Sequence, residues 1–115
     1  MKKDKIYSRD KLLYMMDQNN TEVDELMSIF VRIVPPMLNE MLNCTNQGDW
    51  QPISDNAHKL KSSMRLWAID SLEDIVVFIE TYAAQETRLD EVKEKTIYLC
   101  EHLTAVIEDM KVELA

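Results

Sequence analysis

The chain has 115 residues, a size typical of one domain, and its 46% hydrophobic and 30% charged residues are an ordinary globular balance. It contains a single glycine, Gly48. A Walker phosphate loop needs two glycines and a dinucleotide-binding fingerprint needs three, so the P-loop, protein-kinase and Rossmann classes are excluded. The net charge of −8 argues against binding to nucleic acid or to an anionic membrane surface.

Two further features bear on the compartment. The basic residues at the N-terminus are followed by no apolar segment typical of a signal peptide, and no apolar run predicts a membrane span. Cys44 and Cys100 lie far apart without a CxxC motif, so we expect two partly buried free thiols rather than a disulfide or a metal site. We therefore expect a cytoplasmic protein with a single domain over residues 1–115, of which residues 1–6 are flexible.

Helical periodicity runs through nearly the whole chain. A short first helix is predicted over residues 8–16. The next helix is predicted to begin at Thr21, because Thr21-x-x-Asp24 resembles a capping pattern. Pro35 and Pro36 do not shift the phase of its apolar stripe, so we expect a kink within one helix, although the prolines could instead break it. The residues of this stripe are Val23, Met27, Phe30, Val34, Met37 and Met41.

Three more helices follow. Gly48 suits the left-handed position that ends a helix, and Asp49 is expected to cap the next one, which runs to about residue 68. Asp70-x-x-Glu73 predicts the start of a helix with Leu72, Ile75, Val76, Ile79, Tyr82 and Ala83 inward. The last helix is predicted from about Asp90, with Val92, Thr96, Leu99, Leu103, Val106 and Met110 inward. Because the connections are short, we predict an all-α, up-down antiparallel four-helix bundle with a short extra N-terminal helix.

The helix predicted from Asp49 carries a histidine in the middle of its polar face. His58 lies roughly 140° around the helix from the centre of the apolar stripe, at 100° per residue. The stripe consists of Ile53, Ala57, Leu60, Met64 and Trp67. The residues predicted to share the polar face with His58 are Gln51, Ser54, Asp55, Lys61, Ser62 and Arg65.

Spacing alone favours a simple interpretation of this face, in which His58 is a solvated surface residue. The same interpretation holds for His102, which no neighbouring residue distinguishes. Two histidines and two cysteines this far apart have no zinc-ligand spacing. The single glycine also excludes the G-x-S-x-G elbow of a serine hydrolase.

The local string changes this interpretation. Ala57-His58-Lys59-Leu60-Lys61-Ser62 resembles the core motif of the histidine-containing phosphotransfer (HPt) domain family, which reads alanine, histidine, any residue, apolar residue, lysine and small residue. The resemblance extends over residues 7–113, with Phe30, Pro35 or Pro36, and Gly48-Asp49-Trp50 as landmarks. The chain departs from the family at Ser62 and Ala68, where glycine is common.

The resemblance implies that His58 accepts a phosphoryl group from an aspartyl phosphate on one receiver domain and passes it to another in a multistep two-component phosphorelay. Lys61 would stabilise the phosphoryl charge, and Ser62, Arg65 and Ser54 would border the docked partner. The implied partners are receiver domains of response regulators and hybrid histidine kinases, which supply the Mg²⁺. The chain would need no cofactor or metal of its own, and it would be a monomeric carrier rather than an enzyme. The alternative is a helical bundle that docks signalling proteins without carrying phosphate.

Overall fold

A computed structural model describes residues 6–115, and these residues form five helices. The helices are α1 (Asp10–Met15), α2 (Asn20–Gln47), α3 (Trp50–Leu66), α4 (Asp70–Gln85) and α5 (Leu89–Leu114). In the bundle α2 and α4 each pack against both α3 and α5, while α1 packs against α2. Only two or three residues connect one long helix to the next, so successive helices run in opposite directions. The predicted four-helix bundle with a short N-terminal helix is confirmed.

The helix starts differ in detail from the predicted capping pattern. α2 is capped by Asn19, whose side-chain oxygen accepts a 3.2 Å hydrogen bond from the backbone N–H of Glu22. The start predicted at Thr21 was therefore wrong. Asp49 precedes α3 as predicted, but its side chain makes no capping hydrogen bond. Asp70 is the first residue of α4, where its negative charge lies close to the positive end of the helix.

The long helix α2 passes through both of its prolines. Pro35 and Pro36 lie inside it, so the expectation of one continuous helix is confirmed, while the kink itself stays a prediction. Beyond the prolines, Leu38 is buried and Met37 is only half-buried, so the predicted stripe was wrong by one position there. α2 ends at Gly48, whose φ of 70° is the left-handed conformation that a residue without a Cβ adopts easily.

Buried side chains from all five helices form one hydrophobic cluster. The inward residues predicted for α3 and α5 are all buried. Two residues predicted inward on α4, Ile75 and Tyr82, are only half-buried. This core fixes the rotation of α3, and with it the direction in which its polar face points.

Three of the remaining expectations concern the N-terminal segment, the two thiols and membrane-spanning helices. The predicted flexible segment falls mostly on residues 1–5, which lie outside the described residues, whereas Ile6 packs against the core. Cys44 and Cys100 are both free, as predicted, and both are buried. Across residues 6–115, no helix combines the length and the apolar character needed to cross a bilayer.

Candidate functional site

The candidate site is centred on a histidine that α3 presents to solvent. Ala57 and Leu60, on either side of His58 in the helix, are fully buried and hold this turn of α3 against the core. The His58 side chain itself is 68% exposed. Sequence periodicity thus placed this residue correctly on the outer face, where a partner can reach its imidazole.

A carboxylate from the neighbouring helix contacts this imidazole. Oε1 of Glu80, on α4, lies 2.5 Å from Nδ1 of His58. Because an ionised carboxylate only accepts hydrogen bonds, the proton of this contact belongs to Nδ1, and His58 is the donor. The neutral imidazole then carries its lone pair on Nε2, which has no hydrogen-bond partner among the described residues. The geometry therefore leaves the lone pair of Nε2 as the one that is available to a partner.

The same carboxylate also binds the lysine of the motif. Nζ of Lys61 donates a 3.0 Å hydrogen bond to Oε2 of Glu80, so one carboxylate joins both side chains. The hydrogen bond from His58 is the main reason why the pKa of Glu80 lies below its usual value; partial burial opposes this shift and Lys61 adds to it. Glu80 is therefore ionised at neutral pH.

Ser54 occupies a different place from the one predicted. The helical projection put it on the solvent-facing side of α3, but it is 5% exposed, because α4 covers it. Its Oγ donates a 2.8 Å hydrogen bond to the backbone carbonyl oxygen of Glu80. Ser54 thus ties α3 to α4 beside the site. Its predicted exposure was wrong, while its place at the border of a docked partner stays a prediction.

Comparison with protein families adds an independent finding. A model of the Hpt domain matches residues 25–112, a segment that contains His58, Lys61 and Glu80. The chain belongs to the Hpt domain family. The resemblance of this Hpt domain to the family, seen first in its sequence motif, is therefore confirmed over residues 25–112. Comparisons with curated proteins and with solved structures returned no significant match.

Two other predicted site residues of this Hpt domain, Ser62 and Arg65, lie on the same side of α3 as His58. Ser62 is exposed, as predicted for a residue beside the route to His58. Arg65 is also exposed, but its Nε donates a 2.7 Å hydrogen bond to Glu73 of α4. The positive charge of Arg65 is thus paired with Glu73, whereas Lys61 is paired with the carboxylate that holds His58.

The second histidine of the Hpt domain lies on a different helix. Nδ1 of His102 is 2.8 Å from the carbonyl oxygen of Tyr98, one turn earlier in α5, and its ring stacks on that tyrosine at 3.8 Å between centroids. These two contacts give His102 no link to the His58 site. As to metals, no group of three His, Cys, Asp or Glu side chains within residues 6–115 is placed to hold an ion.

Sequence reasoning assigned no role to Glu80, the residue that organises the site. It follows the buried Ile79 directly, at the edge of the apolar stripe of α4. An acidic residue beside a stripe that packs on the histidine helix was a usable signal. Choosing it over the other acids of α4, such as Glu73 and Asp74, requires the rotation of α4 against α3, which only the packed structure supplies.

Proposed function

We propose that this Hpt domain relays phosphoryl groups between receiver domains in a multistep phosphorelay, with His58 as the phosphorylated residue. The observation that carries the proposal is the arrangement at His58, whose imidazole is 68% exposed and bound through Nδ1 to Glu80. Membership of the Hpt domain family supports the reaction class. The proposed roles of the two flanking groups follow from their contacts.

In the proposed reaction, the lone pair on Nε2 attacks the phosphorus of an aspartyl phosphate on a receiver. Phosphoryl transfer has a loose transition state, so catalysis depends mainly on positioning and on charge stabilisation. In this proposal Glu80 positions the ring, and the ammonium group of Lys61, one helical turn after His58, stabilises the charge of the transferred group. The proposal assigns Mg²⁺ and the remaining catalytic groups to the receiver, so the chain itself is a carrier and not a kinase.

The surface next to His58 offers a place for the receiver to dock. An apolar groove runs between α2 and α3, and Ile29 and Ile33 on its rim are 42% and 47% exposed. At 100° per residue, Ser62 lies about 40° around α3 from His58, and the groove residue Leu66 lies about 80° in the same direction, which puts Ser62 between His58 and the groove. In this proposal the receiver covers the groove and reaches over Ser62 to the imidazole.

The wider setting of the protein is part of the same proposal. The net charge of −8 disfavours both nucleic acid and anionic membranes as partners. We infer a monomeric protein in the cytoplasm, where receiver domains of response regulators and hybrid histidine kinases are its partners. No further cofactor is required of the chain.

The proposal is tested by mixing the purified protein with a panel of phosphorylated receiver domains. We expect acid-labile, alkali-stable phosphate on the parent and on His102→Ala, and none on His58→Gln with an unchanged helical circular dichroism spectrum. Label that persists on His58→Gln would show that another residue is phosphorylated. Receivers that bind the parent without labelling it would favour the alternative function, a module that docks signalling proteins without carrying phosphate.

A further inference from the structure

The contact between His58 and Glu80 places a negative charge next to the imidazole ring, in addition to fixing which ring nitrogen carries the proton. The Glu80 side chain is 22% exposed. One of its carboxylate oxygens accepts a hydrogen bond from Nδ1 of His58, and the other accepts one from Nζ of Lys61. Its backbone carbonyl is bound by the buried hydroxyl of Ser54. A partly buried anion is thus held in place beside the ring nitrogen opposite the one that would carry phosphate.

We propose that Glu80 is a positioning residue that keeps the Nδ1 proton on phosphorylated His58, so that the phosphoryl group leaves from an imidazolium rather than from a neutral imidazole. This inference rests on the proposed phosphorylation of His58. A carboxylate that is hydrogen-bonded to Nδ1, the ring nitrogen that does not react, fixes the tautomer of the imidazole and also stabilises the positive charge of an imidazolium. Glu80 therefore sets how readily the phosphorylated protein gives up its phosphoryl group near neutral pH.

The step balances without any proton transfer. When Nε2 attacks phosphorus, the Nε2–P bond forms, the P–O bond to the receiver's aspartate breaks, and its electron pair stays on the aspartate carboxylate. Neutral His58 with a proton on Nδ1 becomes an N-phosphorylated imidazolium with the same proton. In the onward step an aspartate oxygen attacks phosphorus, the N–P bond breaks, and its electron pair returns to Nε2.

Loss of the Nδ1 proton would interrupt this cycle. A phosphorylated imidazole without that proton would have to leave as an imidazolate anion, which is a much poorer leaving group than neutral imidazole. An adjacent carboxylate opposes this loss, because a negative charge at hydrogen-bond distance favours the protonated form. A neutral amide at the same place can still accept the Nδ1 hydrogen bond, but it does not supply the charge.

Other charged groups near His58 modify this effect without replacing it. The pocket beside the ring is lined, among the described residues, by Asp55 and Lys59 of α3 and by Glu80 of α4. Asp55 accepts a 2.9 Å hydrogen bond from Gln51 on its own helix. Lys61 is bound to Glu80 and offsets part of the carboxylate charge. Glu80 alone among the four has a hydrogen bond to the imidazole.

The test uses phosphoramidate, a small-molecule donor that labels histidine without a receiver. The parent and Glu80→Gln are phosphorylated, and the loss of the Nδ1 proton is followed by NMR of the phosphorylated imidazole as the pH rises. We expect the midpoint in Glu80→Gln to lie lower by about one pH unit, the size of shift that an adjacent opposite charge produces. Asp74→Asn, which removes an exposed acid from the same helix, should keep the parental midpoint.

Kinetics provides a second readout. At a pH above the midpoint of Glu80→Gln but below that of the parent, the variant should pass its phosphoryl group to a receiver several-fold more slowly. Glu80→Asp, which keeps the charge, should restore most of the parental midpoint. An equal midpoint in the parent and Glu80→Gln would overturn the inference, as would a failure of phosphoramidate to label His58. A shifted midpoint with no labelling by any receiver would reject the relay function and leave the role of Glu80 standing.

Discussion

The hydroxyl of Ser54 donates a hydrogen bond to the backbone carbonyl of Glu80, so the residue that holds the imidazole is itself tied to the histidine helix. Ser54 lies one helical turn before His58 on α3, and Glu80 reaches back from α4 to the ring. The two contacts join the same pair of helices at adjacent levels. The position of the carboxylate is thus fixed by backbone and side-chain contacts together.

Removing the buried hydroxyl should weaken the bundle. Ser54→Ala loses the 2.8 Å hydrogen bond between α3 and α4, and we expect the free energy of unfolding to fall by about 1 kcal/mol. Urea denaturation followed by circular dichroism measures this change. Ser71→Ala, at an exposed position near the start of α4, is the control and should change stability little. Equal stabilities of parent and Ser54→Ala would contradict the structural role of this bond.

Lys61 should matter for rate rather than for folding. Its ammonium group pairs with Glu80 in a partly buried contact between α3 and α4 that lies outside the hydrophobic core, so we expect its removal to leave the bundle folded. We expect Lys61→Ala to slow single-turnover transfer from a phosphorylated receiver by about 5- to 150-fold, which is ~1–3 kcal/mol in the barrier. Lys93→Ala, on the exposed face of α5, should transfer at the parental rate. Unchanged kinetics in Lys61→Ala would remove the lysine from the mechanism.

The exposed position of Ser62 tests the proposed route of approach. A receiver must bring its phosphorus to within about 3–3.5 Å of Nε2, so an aromatic side chain one turn away should block transfer. Ser62→Phe should keep its melting temperature and lose transfer, while Ser62→Gly should transfer at least as fast as the parent. Ser71→Phe controls for added bulk at another exposed site. Parental rates in Ser62→Phe would mean that partners approach over another face.

The lowered pKa of Glu80 makes part of the stability depend on pH. A carboxyl whose pKa is lower in the folded chain stabilises the fold above its unfolded pKa, and this contribution disappears as the pH falls through its folded pKa. The parent should therefore have a higher free energy of unfolding than Glu80→Gln at pH 6. The difference should not exceed about 1 kcal/mol, because solvent screens the contact between His58 and Glu80. This difference should shrink between pH 5 and pH 3, about the usual range for a glutamate. A difference that does not vary with pH would show that the carboxylate charge contributes nothing.

Periodicity and local motifs predicted much of this molecule, because burial repeats along a helix in a regular way. The inward residues of α3 and α5 and the exposure of His58 follow from that pattern. Contacts between side chains of different helices cannot be predicted from the periodicity of one helix. A projection of α3 alone put Ser54 in solvent, since nothing in it shows that α4 covers that edge. Glu80 was assigned no role for the same reason, because its approach to His58 depends on how two distant segments pack.

The central claim, that His58 carries a phosphoryl group received from an aspartyl phosphate, is tested most directly by locating the group on the parent protein. The protein is mixed with a phosphorylated receiver, digested at alkaline pH to preserve phosphohistidine, and mapped by mass spectrometry. We predict a single phosphoryl group on the peptide that contains His58, gained as the receiver loses its own. A phosphoryl group on any other residue, or loss from the receivers with none appearing on His58, would contradict the account.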